Sequence, residues 1–226
     1  MNKNLTDIIL VVDRSGSMQS IKKDAEGGIN NLIEEQAKEP GECVLTLVEF
    51  DTQYNFVEKR TPIKEVKKYV LYPRGSTALL DAVGRAINET GERLAAVSEE
   101  ERPGLVQMVI VTDGHENASR EFNREKIREM INHQRDKYNW QFTFLGADEA
   151  AFQDAVSWGI RGIDAAVYNV QNSQDAYYGA SNVIRRKRAL YASGGSLEAV
   201  SNVSFTDEER ENMLNDNSTT SAASQL

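Results

Sequence analysis

The sequence is poor in several things that would otherwise define it. It holds one cysteine, four prolines and two histidines in 226 residues. One cysteine makes no internal disulfide and no thiolate zinc site. A chain of this length buries roughly 70% of its unfolded surface, so it needs no such staples. No apolar run approaches the ~18–20 residues of a membrane span. The longest near the N-terminus, Ile8 to Val12, is too short for a signal-peptide core, and no small-residue cleavage site follows it. These absences lead to the expectation of a reduced, cytoplasmic protein. Basic charge is also scarce: 26 Lys and Arg face 35 Asp and Glu, a net charge of −9, which argues against a nucleic-acid binder held by phosphate contacts.

The acidity is unevenly spread. Residues 194–226 carry six acids against Arg210 alone, a balance of −5 that leaves −4 for residues 1–193. Gly194-Gly195-Ser196 reads as a linker, Thr206 and Glu209 as a capping box opening a short helix over 207–214, and Asn215–Leu226 as a polar stretch too poor in apolar groups to order itself. The expected organisation is a folded domain over 1–193 followed by an acidic tail over 194–226.

What the body has is alternation. Leu5–Val12 and Leu105–Thr112 are unbroken apolar runs, the mark of strands buried on both faces. Val44–Phe50 and Tyr54–Arg60 read as a hairpin, and Trp140–Leu145 and Ala165–Val170 as two further strands. Between them lie helical patterns at 17–38, after Thr77, after Asn123, at 148–158 and at 175–191, with a shorter one expected at 62–70. Gly27-Gly28 inside the first helix suggests that something packs closely there. The fold class is α/β: a Rossmann-like, mostly parallel six-stranded sheet with one antiparallel edge strand and helices on both faces.

Ligands of such sheets gather past the carboxyl ends of the strands. The first strand ends in Asp13-Arg14-Ser15-Gly16-Ser17, the fourth in Thr112-Asp113-Gly114, and Gly75-Ser76-Thr77 opens the helix between them. Two carboxylates and three hydroxyls are hard oxygen ligands that suit Mg²⁺, or Mn²⁺, and leave a coordination position open for an outside carboxylate. Each loop alone has a plainer reading, as a helix cap or a turn. Three in order, each at a strand-to-helix junction, favour a metal site.

This constellation resembles the von Willebrand factor A domain with its metal-ion-dependent adhesion site (MIDAS), over about residues 5–193. The resemblance implies a sheet with Mg²⁺ at its top, held directly or through water by Asp13, Ser15, Ser17, Thr77 and Asp113. It implies a non-enzymatic module whose metal accepts an Asp or Glu from a protein partner, in a stand-alone bacterial or phage cytoplasmic member of the group. Two alternatives stay open. One is an assembly protein that self-associates when its acidic tail ligates a neighbouring copy. The other is a Mg²⁺-assisted hydrolase with His115 as base. No GxxxxGK[ST] or GxGxxG follows a strand, which leaves nucleotide binding without support. Glu116 reads as rim charge or a water-mediated neighbour of the metal. Arg185-Arg186-Lys187-Arg188 reads as a solvated face, a complement to its helix dipole, or a partner for the acidic tail.

Overall fold

The computed structural model describes residues 1–215. The remainder of the polar stretch expected at 215–226 lies outside the described residues. Six strands form one sheet: β1 (Asn2–Asp13), β2 (Glu42–Phe50), β3 (Tyr54–Pro62), β4 (Pro103–Thr112), β5 (Gln141–Gly146) and β6 (Ala165–Val167), in the order β3-β2-β1-β4-β5-β6. Only β3 runs antiparallel, on the edge, through the expected hairpin. The helices are α1 (Lys22–Lys38), α2 (Leu79–Ala95), α3 (Arg124–Tyr138), α4 (Glu149–Ser157), α5 (Ser173–Ala192), α6 (Leu197–Ser201) and α7 (Asp207–Leu214).

The apolar central strands are explained by their two covered faces. Along β1, Ile8, Leu10 and Val12 enter a core with α1 and α5, while Ile9 and Val11 enter a second core with α2 and α3. Each fully buried aliphatic side chain contributes roughly 1.5–3 kcal/mol, so a strand without a solvent face is the most stabilising arrangement for such a run. Gly28 allows α1 to pack on α5, since a Cβ there would overlap the Tyr177 ring. The neighbouring Gly27 faces open space.

Three expectations need correction. The helix expected over 62–70 is a single 3₁₀ turn at Ile63–Glu65. The chain beyond it is pinned in an irregular path: the Asn30 side chain donates to Tyr69 O (2.9 Å) and accepts from Tyr69 N (2.8 Å). That pairing replaces the backbone bonds a helix would supply, while Ile63, Tyr69 and Leu71 are buried.

The segment after Gly194-Gly195 is not held apart by a linker. Val200, Phe205 and Met213 are buried, the last two in the α1–α5 core. The helix at Asp207–Leu214 opens with Thr206 and Glu209 in a reciprocal capping box.

The basic run on α5 is mostly not solvated. Arg186 makes a bidentate pair with Glu209 at 2.7 Å per bond, which joins the run to the acidic segment within one chain. Lys187 is fully buried, donates to Gln141 Oε1 (3.1 Å), and has its ammonium pushed down to about 8 by desolvation. Arg188 reaches the carbonyls of Gln36 and Pro40 (2.9 and 3.0 Å). Only Arg185 keeps to the surface, beside Asn182.

Candidate metal centre

β1 and β4 are neighbours in parallel register, with Val12 opposite Val111, so the next residues, Asp13 and Thr112, meet at the sheet's edge. Asp13 is fully buried. Its Oδ1 accepts from Ser15 N and its Oδ2 from Thr112 Oγ1, both at 2.6 Å. A 3₁₀ turn over Gly16–Gln19, anchored by buried Met18, curls the serines together. Ser15 Oγ lies 3.0 Å from Ser17 Oγ, and Ser17 Oγ donates to Asp113 Oδ1 at 2.7 Å.

Thr77 arrives from the loop before α2. Arg74 N donates to Arg14 O (2.8 Å) and Gly16 N to Gly75 O (3.1 Å), which ties that loop to the first one. Gly114 shows where the oxygens point. A Cβ there would lie 3.0 Å from Thr77 Oγ1, 3.3 Å from Ser17 Oγ and 3.6 Å from Asp13 Oδ2. Three loops therefore converge on one small space, and all five residues singled out in the sequence belong to the cluster.

Its electrostatics are unusual for a protein interior. Burial pushes the Asp13 carboxyl up to about 6, opposed by hydrogen bonds from Thr112 and Ser15 and reinforced by the Asp113 charge. Burial also raises Asp113, against the hydrogen bond from Ser17. Among the described residues neither carboxylate has a basic side chain beside it. Nor do three His, Cys, Asp or Glu side chains come together anywhere among them as a metal-binding group. One buried carboxylate, Asp13, and one half-buried carboxylate, Asp113, with three neutral hydroxyls and no protein cation beside them fit a hard divalent ion, and fit zinc-thiolate or carboxylate-rich two-metal chemistry poorly.

The neighbouring acids do other work. Glu116 accepts from Leu80 N, Ala118 N, Ser119 N and Ser119 Oγ (2.7–3.0 Å). Asp81 accepts from the backbone of Arg120, Glu121 and Phe122 (2.8–2.9 Å). Together they fasten the loop after β4 to the first turn of α2. His115, about half exposed, places Nε2 3.1 Å from Asp148 Oδ2, the carboxylate that caps α4.

Sequence reasoning passed over the charged network beside the cluster. Asp51, just past β2, is 1% exposed, and its Oδ2 accepts from Arg14 Nε (3.0 Å) and Arg74 Nε (2.8 Å). Arg14 also pairs with Glu49, whose other oxygen accepts from Tyr69 OH at 3.3 Å. The available signal was position: Asp51 follows an apolar strand just as Asp13 and Asp113 do. Thr112, part of the Thr112-Asp113-Gly114 motif but not among the five expected ligands, is the donor to Asp13.

Comparison with protein-family models and with curated proteins returns no match. Solved structures do match, and they are von Willebrand factor A domains. The chain is similar to the von Willebrand factor domain of the type V pilus tip protein Mfa5 from Porphyromonas gingivalis, at 12% identity and a TM-score of 0.57 over 80% of this chain and 95% of that one. It is similar to the manganese-loaded TRAP protein of Plasmodium vivax, at 15% identity and a TM-score of 0.53 over 80% of this chain and 74% of that one. It is also similar to proximal thread matrix protein 1 from the mussel byssus with a zinc-occupied MIDAS motif, at 14% identity and a TM-score of 0.56. That match covers 80% of this chain but only 46% of the byssus protein. At such identities the likeness is one of fold. The six-stranded, mostly parallel sheet with its antiparallel edge and surrounding helices is the Rossmann-like fold of the von Willebrand factor A domain. Among the described residues no helix is long and apolar enough to cross a membrane.

Proposed function

We propose that the chain is a metal-dependent protein-binding module. Asp13, Ser15, Ser17, Thr77 and Asp113 hold Mg²⁺, or Mn²⁺, and a partner's Asp or Glu completes the site. The observation that carries this reading is the convergence of Thr77, Ser17 and Asp13 around Gly114, with Ser15 and Asp113 joined to Ser17, and with one buried and one half-buried carboxylate that have no protein cation beside them. The bound ion supplies a Lewis acid for the incoming carboxylate. The chain's own part is to place the donors. Thr112 and Ser15 N fix Asp13, Ser17 orients Asp113, and Asn117 Oδ1 accepts from Thr77 N at 3.0 Å. Hydroxyls add no negative charge, so two carboxylates just balance a divalent ion and leave it attractive to a third. Similar folds carrying zinc in a MIDAS motif or manganese support the same chemistry here.

The role is binding rather than catalysis. His115, the base that a hydrolase reading requires, is turned to Asp148, and the cluster lacks the carboxylates of a two-metal site.

Thermal denaturation with and without MgCl₂ tests this reading. At a hundredfold excess over its Kd an ion bound only by the folded state adds about 2.7 kcal/mol, which raises Tm by roughly 5–10 °C in a chain of this size. Asp13→Ala and Asp113→Ala should each abolish the rise. A wild-type chain indifferent to both Mg²⁺ and Mn²⁺ overturns the proposal.

A further inference from the structure

The rim of the cluster is asymmetric. At the N-terminus of α4 lie Asp148 and Glu149, the former half exposed and 3.1 Å from His115 Nε2. On the opposite side, the loop before α2 carries Tyr72 and Arg74, and α1 opens with Lys22. Tyr72 is 65% exposed, and Lys22 Nζ sits 5.1 Å from its ring centroid. Lys22 also lies 3.8 Å from Glu26 on the next turn of α1.

Arg74 is built differently from an ordinary surface arginine. Its Nε donates to Asp51 Oδ2 (2.8 Å) and its Nη2 to Gln53 Oε1 (2.6 Å). Nη1 makes no hydrogen bond among the described residues. Asp51 is 2% exposed in its side chain, whereas Arg74 is 54% exposed. The anchoring carboxylate is thus buried and the held cation faces outward. Holding the guanidinium in advance removes most of the rotamer entropy that a free arginine loses on binding. Its backbone is one hydrogen bond from the first site loop, through Arg74 N to Arg14 O, so fork and cluster form one rigid surface. An exposed aromatic beside a fixed arginine has the composition of an interface anchor.

We infer that Arg74, with Tyr72 and Lys22, is a second anchoring point, and that the partner presents two acidic side chains, one to the metal and one to the Arg74 fork. The inference rests on the metal-dependent reading above and names the partner's chemistry: an acidic protein segment. Charge complementarity argues for it. The chain is −9 overall and repels acidic segments at a distance, so an acidic partner needs outward cations close to the point of docking. In an extended segment, acids two or four residues apart are separated by roughly 7 or 13 Å, so a series of two spacings samples the gap.

The probes are fluorescein-labelled nine-residue peptides in a Gly/Ser background, read by anisotropy in MgCl₂ and in EDTA. They carry a single Glu, two Glu two or four positions apart, or one Glu and one Lys at those spacings. One of the two-acid peptides should bind about tenfold tighter than the single-acid peptide, only in Mg²⁺, and the Glu/Lys peptides should bind more weakly than either. Arg74→Gln should erase the two-acid advantage and leave the Mg²⁺-dependent Tm rise intact. Lys22→Gln and Tyr72→Ala lie outside the Asp51 network and should each reduce the advantage two- to fivefold, so the test survives if Arg74→Gln destabilises the fold. Equal binding of one- and two-acid peptides, or no peptide binding in a chain whose Tm responds to Mg²⁺, overturns the second anchor while the metal reading stands. No Tm response in the wild type overturns the reading beneath it.

Discussion

Asp13 and Asp51 end neighbouring parallel strands, and Asp13 pairs in register with Phe50, the residue before Asp51. Both carboxylates are buried, at 0% and 1% exposure. Their surroundings are opposite. Asp51 lies between the guanidiniums of Arg14 and Arg74 and also accepts from Gln53 N at 2.5 Å. Asp13 has a hydroxyl, a backbone N–H and a second carboxylate for neighbours. Burying a carboxylate costs several kcal/mol unless charge and hydrogen bonds compensate. At Asp51 the compensation is internal, and the acid acts as a structural clamp. At Asp13, on the proposed reading, the compensation is left to a bound cation, as expected of a position kept for function rather than for stability. Arg14, adjacent to Asp13 in sequence, turns away to Asp51 and Glu49, which keeps the nearest protein cation out of the cluster.

The comparison can be broken most forcefully at the clamp. Asp51→Ala leaves Arg14 with Glu49 alone and removes Arg74's anchor; the expected loss is about 3–5 kcal/mol, read from the urea midpoint in the absence of metal. A loss under about 1 kcal/mol would mean that the two acids are not different in kind. The opposite sign is expected at Asp13. Asp13→Asn removes a buried charge that has no cation beside it, and the Thr112 hydroxyl can accept from the new amide while donating to Gly114 O, 3.0 Å away. Metal-free stability should rise by about 1–3 kcal/mol, while the Mg²⁺ response disappears. The smallest effect belongs to Thr112→Val, which strips Asp13 Oδ2 of its donor and should cost about 1 kcal/mol without metal. In Mg²⁺ the same variant should keep most of its Tm rise, since the five oxygen donors remain.

Much of the fold was legible because strands buried on both faces leave an unmistakable apolar signature, as in Leu5–Val12 and Leu105–Thr112. Four of the five clustered side chains were legible for a related reason: Asp13, Ser15, Ser17 and Asp113 follow those strands directly, whereas Thr77 was legible only as the opening of the helix after Gly75. What stayed hidden depends on partners distant in sequence. Nothing near Arg188 says that it will reach Gln36, 152 residues away. Nor does anything near Tyr69 announce Asn30, whose amide takes both of its backbone groups and turns an expected helix into an irregular path. The segment after Gly194 was misjudged by averaging. Its acids dominate the composition, but Val200, Phe205 and Met213 decide where it lies. Glu116 shows the same limit: beside Asp113 in sequence, it fastens the loop to α2 rather than lining the rim.

The cluster's closing contacts, Thr112 to Asp13 and Ser17 to Asp113, join residues 99 and 96 positions apart. Until β4 has docked beside β1, the first loop holds three of the five proposed donors and the two acids are far from one another. On the proposed reading, an ion therefore cannot help the chain find its shape; it acts only on the shape already found. Its signature should be kinetic as well as thermodynamic: slower unfolding, an unaltered rate of folding, and a longer-lived native state wherever the ion is plentiful.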